Sequence, residues 1–341
     1  MKVTDMGIYL GIDTSNYTTS VAVYDSEKNE IIHKRKLLPV KNGQCGLRQS
    51  DAVFHHTQQF YEIYKELSQE VDLKNVCAVG VSSKPRPVEN SYMPCFTVGV
   101  NIAHVLSDTL HVPMYEFSHQ EGHIAAAVFS CGKTDLLNCD FIAFHLSGGT
   151  TEALLVNCSD GFIKDISIVG ETLDLNAGQA VDRAGVQMGL SFPCGKEIEK
   201  LAKEFYLNIE KYMPEDKAQK YRRNGSKKKL FNIKTSVKEG RCCLSGVENK
   251  CSQMLKSGDS KEKTAAYCLA YVEETLSDMT RYILEKFGDY PLIYAGGVMS
   301  NSIIRERMER DFNCSFASAE FSSDNAGGIA FLTGIKHCKS R

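Results

Sequence analysis

Short apolar runs separated by polar turns open the chain. Residues 8–12 read as a buried strand, 13–20 as a polar turn and 21–24 as a second strand. The same pattern returns later, with a strand over 141–146, a turn over 147–152 and a strand over 153–156. Between these units the period changes. Residues 49–70 and 98–110 carry apolar positions at helical spacing, 76–82 and 112–117 read as strands, and the two prolines in 84–87 make that stretch a loop. In the second half, 175–188 reads as a helix broken over 189–195. Ala265, Cys268, Leu269, Val272, Leu276, Met279, Ile283 and Phe287 mark a long amphipathic helix that Gly288 ends. A strand over 291–295, a Gly296-Gly297 turn, a helix over 302–312, a polar turn over 322–328 and a last helix follow. Strands interleaved with helices predict an α/β fold, and the repeated strand–turn–strand unit predicts an internal duplication.

Composition narrows this picture. A length of 341 residues predicts two domains or one large one, and 43% hydrophobic residues suffice for sizeable cores. The net charge of −2 confines any nucleic-acid contact to a local patch. The 13 cysteines are scattered and contain no Cys-x-x-Cys pair, which points to reduced thiols rather than disulfides or a zinc framework. The apolar run at 6–12 is too short for a membrane span and lacks a cleavage pattern, so the expectation is a cytoplasmic protein without a membrane segment.

The densest chemistry lies in Ser118-His119-Gln120-Glu121-Gly122-His123. Two histidines four residues apart at a helix start leave the same face, one turn apart, and can share one metal ion. Glu121 is one position too late to be the base of a two-histidine zinc protease. With Ser118 it reads instead as a capping box. The hydroxyl-rich turn after Asp13 and the paired glycines 148 and 149 offer backbone donors to an anion, and Asp13 offers a carboxylate to a cation. The Gly296-Gly297 turn at a strand's carboxyl end is a usual place for a nucleotide. Asp324 reads either as a carboxylate ligand or as the cap of the last helix. Lys217, Lys220, Arg222, Arg223, Lys227, Lys228 and Lys229 form a basic run, read as a solvated insert rather than a nucleic-acid patch.

In order, these stretches resemble the threonylcarbamoyl transferase family of tRNA modification, once described as O-sialoglycoprotein endopeptidases. The resemblance rests on Gly11-Ile12-Asp13-Thr14-Ser15, the 119–123 histidine motif, Ser147-Gly148-Gly149-Thr150-Thr151 and Gly170-Glu171-Thr172-Leu173-Asp174. It continues through residues 177–183, Pro193-Cys194-Gly195, residues 295–301 and Asp324-Asn325-Ala326. It implies an actin/sugar-kinase/heat-shock ATPase-like fold of two duplicated ribonuclease-H-like domains with a central cleft. The expected division is 1–125 with 318–341 against 126–317, the latter carrying a helical and basic insert near 200–260. It also implies a metal, usually iron with zinc as the alternative, on His119, His123 and Asp324. An adenylate or ATP-type nucleotide would lie on Leu146, Ser147, Gly148, Gly149, Thr150, Asp182, Gly195 and Asn301. The implied reaction moves threonylcarbamoyl from its anhydride with AMP to the adenosine beside the tRNA anticodon, with tRNA and proteins of a modification complex as partners.

The chain departs from the family pattern at definite places. Tyr17 and Thr18 stand where typical members have two acidic residues, and Thr150 stands where they have His. Gln179 replaces a Glu, Cys194 replaces a Gly, and 83–87 replaces a glycine-rich loop. The pattern is that of a diverged paralogue, with no catalytic residue assignable from sequence. The alternatives are a carbamoyl-type transferase with another acceptor and a non-catalytic nucleotide- and metal-binding subunit.

Overall fold

A computed structural model describes residues 6–15, 17–39, 47–216, 218–219, 230–322 and 324–340. The basic residues of the 217–229 run all fall outside the described residues. Two compact units emerge. One comprises Met1–Asp140, Val156–Ile166 and Ala317–Arg341, the other Phe141–Leu155 and Ser167–Phe316. The division expected at 125/126 falls inside a continuous helix, His119–Ser130.

The first unit is built on β1 (Ile8–Asp13), β2 (Thr18–Asp25), β3 (Glu30–Leu37), β4 (Val76–Lys84) and β5 (Met114–Ser118), in the order β3-β2-β1-β4-β5. The first three pair antiparallel, while β4 runs parallel to both β1 and β5. β4 continues to Lys84, so that residue belongs to the strand rather than to the expected loop. The period-two alternation of β1 explains the layering. Leu10 and Ile12 point into one core with Val21, Val23, Val79 and Val81, closed by Phe60, Ile63 and Leu67 of α1 (Gln49–Glu70) and Ala103 of α2 (Phe96–Leu110). Tyr9, Gly11 and Asp13 point the other way, towards the side where α3 (His119–Ser130) packs.

The second unit repeats the plan. Its sheet contains β6 (Phe141–Leu146), β7 (Thr151–Ser159), β8 (Phe162–Thr172), a short hairpin β9 (Ser236–Lys238) and β10 (Arg241–Cys243), then β11 (Leu292–Ala295) and β12 (Cys314–Phe316). The order is β12-β11-β6-β7-β8-β10-β9. Without the hairpin it is the first sheet's order again, which is the expected duplication. Helices α4 (Ala177–Gln187), α5 (Gly195–Leu207), α6 (Ser245–Lys256), α7 (Lys261–Phe287) and α8 (Ser302–Asp311) surround this core. The helix expected to be amphipathic, α7, is instead buried without a break from Thr264 to Ser277, because α4, α5, α6 and α8 all pack on it.

The chain then returns to the first unit with α9 (Gly327–Lys339). It lies against β1 and β4 at van der Waals limits. A Cβ on Gly11 would come 2.5 Å from Ala330 N, and one on Gly80 would come 1.8 Å from Thr333 Oγ1. Tyr24, Phe129 and Phe331 form edge-to-face or tilted ring pairs that complete this second layer. With it the fold is the actin/sugar-kinase/heat-shock ATPase-like α/β class that the family resemblance implied.

Candidate metal centre and glycine turns

Ser118 ends β5 and starts α3. Its Oγ accepts the Glu121 N–H, and Glu121 Oε2 accepts both the Ser118 N–H at 2.6 Å and its O–H at 2.7 Å. This is the expected capping box. It also engages the Glu121 carboxylate, so that group does not serve as a protease base. With the helix start fixed, His119 and His123 leave one face, and their Nε2 atoms lie 2.9 Å apart. Asp324, on the turn before α9, brings Oδ1 to 3.2 Å from His123 Nε2 and 3.7 Å from His119 Nε2. Asp324 does not cap α9, whose N-cap is Ala326.

One donor atom from each of these residues lies within 4.8 Å of the others, and among the described residues they form the one such cluster. Two imidazole nitrogens each about 2.1 Å from one ion, at a right angle, stand about 3.0 Å apart. The observed separation therefore suits a shared cation. The ring environment fits as well. Asp13, at the end of β1, places Oδ2 2.7 Å from His119 Nδ1. A carboxylate only accepts, so Nδ1 carries the hydrogen and Nε2 is left to face the other two donors. Burial opposes the charged form of Asp13, but the charge and hydrogen bond of His119 outweigh it and hold the carboxyl below its usual range. Burial likewise opposes a charged His119, yet Asp13 and Asp324 together raise its pKa. Two nitrogens and one carboxylate oxygen leave coordination positions open, as a working centre needs.

Tyr17 lies in the first turn and Thr18 opens β2. Thr18 is buried and its Oγ1 lies 3.5 Å from Asp324 Oδ2. The sequence offers Asp13 to a cation, but no local pattern reports its bond to His119 or the Ser82 hydroxyl that donates to Asp13 Oδ1 at 2.8 Å. The only sequence signal was the Asp at the end of an apolar strand.

In the second unit, Leu146 is buried and the turn after it is open. Ser147 Oγ accepts the N–H groups of Gly149 and Thr150 at 3.2 and 3.0 Å. Gly148 and Gly149 are exposed, with open space where a Cβ would stand. The start of α4 is pressed on this turn, since a Cβ on Gly178 would come 2.7 Å from Gly148 N. Gly296, at φ +100°, approaches from β11, where a Cβ would come 2.2 Å from Leu146 O. The two turns are thus brought together. Asp182 of α4 accepts the Cys194 N–H at 2.8 Å, which sets it beside Gly195 at the start of α5. Asn301 follows the second turn and caps α8, its Oδ1 accepting from Ile303 and Ile304 N–H.

The tRNA N6-adenosine threonylcarbamoyltransferase family matches residues 30–331. The chain belongs to this family. A relative bearing the same description in Sulfurihydrogenibium sp. (strain YO3AOP1) is 28% identical, the match covering 98% of this chain and 91% of that protein. Another in Thermosipho africanus (strain TCF52B) is also 28% identical, over 96% of this chain and 94% of its own length. Among solved structures, component A of Acidaminococcus fermentans (R)-2-hydroxyglutaryl-CoA dehydratase superposes with a TM-score of 0.52 at 12% identity, over 98% of this chain and 99% of that one. The activator of the 2-hydroxyisocaproyl-CoA dehydratase from Clostridium difficile gives 0.50 at 11%, over 98% and 96%. These two likenesses concern the fold. The described cysteines are all free thiols, and none of the described helices is long and apolar enough to cross a membrane.

Proposed function

We propose that this chain transfers a threonylcarbamoyl group from threonylcarbamoyl-AMP to N6 of the adenosine beside the anticodon of tRNA. In the reaction the amine nitrogen bonds to the carbamoyl carbon, the bond from that carbon to the AMP phosphate oxygen breaks, and the amine loses a proton. The observation that carries this reading is the convergence of His119, His123 and Asp324, with Asp13 behind His119, in a chain of this family. Those three residues would hold one divalent ion, iron by family resemblance, which supplies a Lewis acid when bound. The turn of Leu146, Ser147, Gly148, Gly149 and Thr150, with Asp182, Gly195 and Asn301, would hold the adenylate. Gly148 and Gly149, with no side chains, would let a phosphate approach the backbone, while the Ser147 and Gly149 N–H groups are engaged within the turn by Thr150 O and Ser147 Oγ; Asp182 suits the ribose hydroxyls. AMP is a good leaving group, so the protein's part is mainly to hold the two substrates in line. A cytoplasmic location and protein partners of a modification complex go with this reading.

The test is single-turnover transfer of labelled threonine into tRNA, alongside elemental analysis. The unaltered protein should carry close to one transition metal per chain, and His119→Ala with His123→Ala should remove most of it. Full metal retention in that double variant would sink the centre. Nucleotide binding without any transfer to tRNA, under metal-replete conditions, would favour the different-acceptor or non-catalytic reading that Tyr17, Thr18 and Thr150 leave open.

A further inference from the structure

We infer that Asp13 is a positioning residue for the metal centre: its carboxylate fixes the hydrogen of His119 on Nδ1 and aims the Nε2 lone pair at the space shared with His123 and Asp324. The inference rests on the metal reading above and deepens it. His119 is the first residue of α3, and a neutral imidazole there could carry its hydrogen on either nitrogen. Asp13 removes that freedom. It is 2% exposed, with Oδ2 2.7 Å from His119 Nδ1. Its other oxygen accepts the Ser15 N–H and the Ser82 O–H, both at 2.8 Å. Turning the carboxylate away from His119 would break all three bonds inside a dry site. The anchors are the turn after β1 and the far end of β4, so the sheet itself sets the ring's direction. Phe96 of α2, edge-on to the ring with centroids 6.3 Å apart, limits its tilt. Asp13 is not one of the converging donors and acts only through His119. A carboxylate behind a ligating imidazole fixes its tautomer and raises its basicity, and its loss typically lowers metal affinity about 10–100-fold.

The test uses the metal-free protein with 15N-labelled histidine, at alkaline pH. Two-bond 1H–15N correlations should show His119 as the Nδ1–H tautomer. In Asp13→Asn that preference should weaken, and Co2+ affinity, read from d–d absorption, should fall about 10–100-fold. Asp13→Glu should not restore the bond, because the longer stem moves the carboxylate off the Ser15 and Ser82 donors. An Nε2–H tautomer in the unaltered protein would overturn the inference, and so would Asp13→Asn binding Co2+ within about twofold of it. If Asp13→Asn does not fold, the unaltered protein's spectrum decides alone, and Ser82→Ala should still lower Co2+ affinity about threefold or more. Co2+ binding that survives loss of both His119 and His123 would sink the metal centre while leaving the tautomer result standing, so the two failures are distinct.

Discussion

Gly328→Ala should open the metal centre from a distance. Gly328 is the second residue of α9, and a Cβ there would stand 1.9 Å from Gly122 O and 2.7 Å from Ala126 N. Both contacts are backbone atoms of α3, so no side chain can yield. Ordinary contact begins near 3.4 Å, so the helices must separate by about 1.5 Å at this point. α3 carries His119 and His123, and α9 follows directly on Asp324. Metal–ligand distances tolerate only about 0.2 Å, so Asp324 would leave the donor set. Overpacking of this kind costs about 1–3 kcal/mol, and a backbone clash belongs at the upper end. In a unit of this size about 3 kcal/mol lowers the melting temperature by about 6–12 °C. Gly122→Ala is the matched control across the same crossing. Its Cβ would meet Ile329 Cδ1 at 2.8 Å, the end of a side chain that can rotate. The helix gains up to about 1 kcal/mol from Ala over Gly, so little net change is expected. The assays are thermal melts of both metal-free variants and Co2+ titration. If Gly328→Ala melts and binds like the unaltered protein, or if Gly122→Ala is the worse of the two, the close-approach argument fails.

Three further outcomes are expected. Gly148→Leu should leave the nucleotide-free melting temperature unchanged, because open space lies where its side chain would go, yet abolish the stabilisation given by AMP or ATP; an undiminished shift would remove Gly148 from the adenylate site. His56 is fully buried, and burial, with some repulsion from His55 and against attraction from Asp13, lowers its pKa to about 4 from 6.5. The folded state therefore favours the neutral ring, so its contribution is intact above pH 6.5 and is lost as pH falls from there towards 4, by up to about 3 kcal/mol; urea melts of His56→Gln should show a flatter acid limb, and an unchanged slope would refute this. Restoring the family pattern with Tyr17→Asp, Thr18→Glu and Thr150→His together should raise single-turnover transfer of labelled threonine, and the single changes should do less, as groups acting as a unit do; a fast unaltered protein would show those groups to be dispensable.

What the sequence revealed about the site was what local spacing encodes. The capping box and the two histidines lie within six consecutive residues, and their geometry follows from one helical turn. The Asp13–His119 bond joins residues 106 apart and exists only because β1 and α3 meet at one end of a sheet, which no local pattern reports. Strand β3 escaped notice because it is an edge strand whose positions 30–37 include Glu30, Lys34, Arg35 and Lys36, so no apolar run marks it. Helix α5 escaped because only Ile198, Ala202 and Phe205 of its residues are buried, behind a Pro-Cys-Gly turn that reads as a stop. The duplication was visible in the two apolar hairpins, whereas the extra β9–β10 hairpin has strands of three residues and no periodicity to detect.

The return of α9 to the first unit orders events during synthesis. His123 and Asp324 are separated by 201 residues, and all of the second unit lies between them in the chain. Until Asp324 and α9 leave the ribosome, β1 and β4 have one face uncovered and the histidine pair has no carboxylate to complete it. The second unit has its own core and can close first. Metal loading is then a late event, confined to chains from which Asp324 and α9 have emerged. A ribosome-arrested nascent chain ending before Asp324 should hold no ion, however well its second unit has folded.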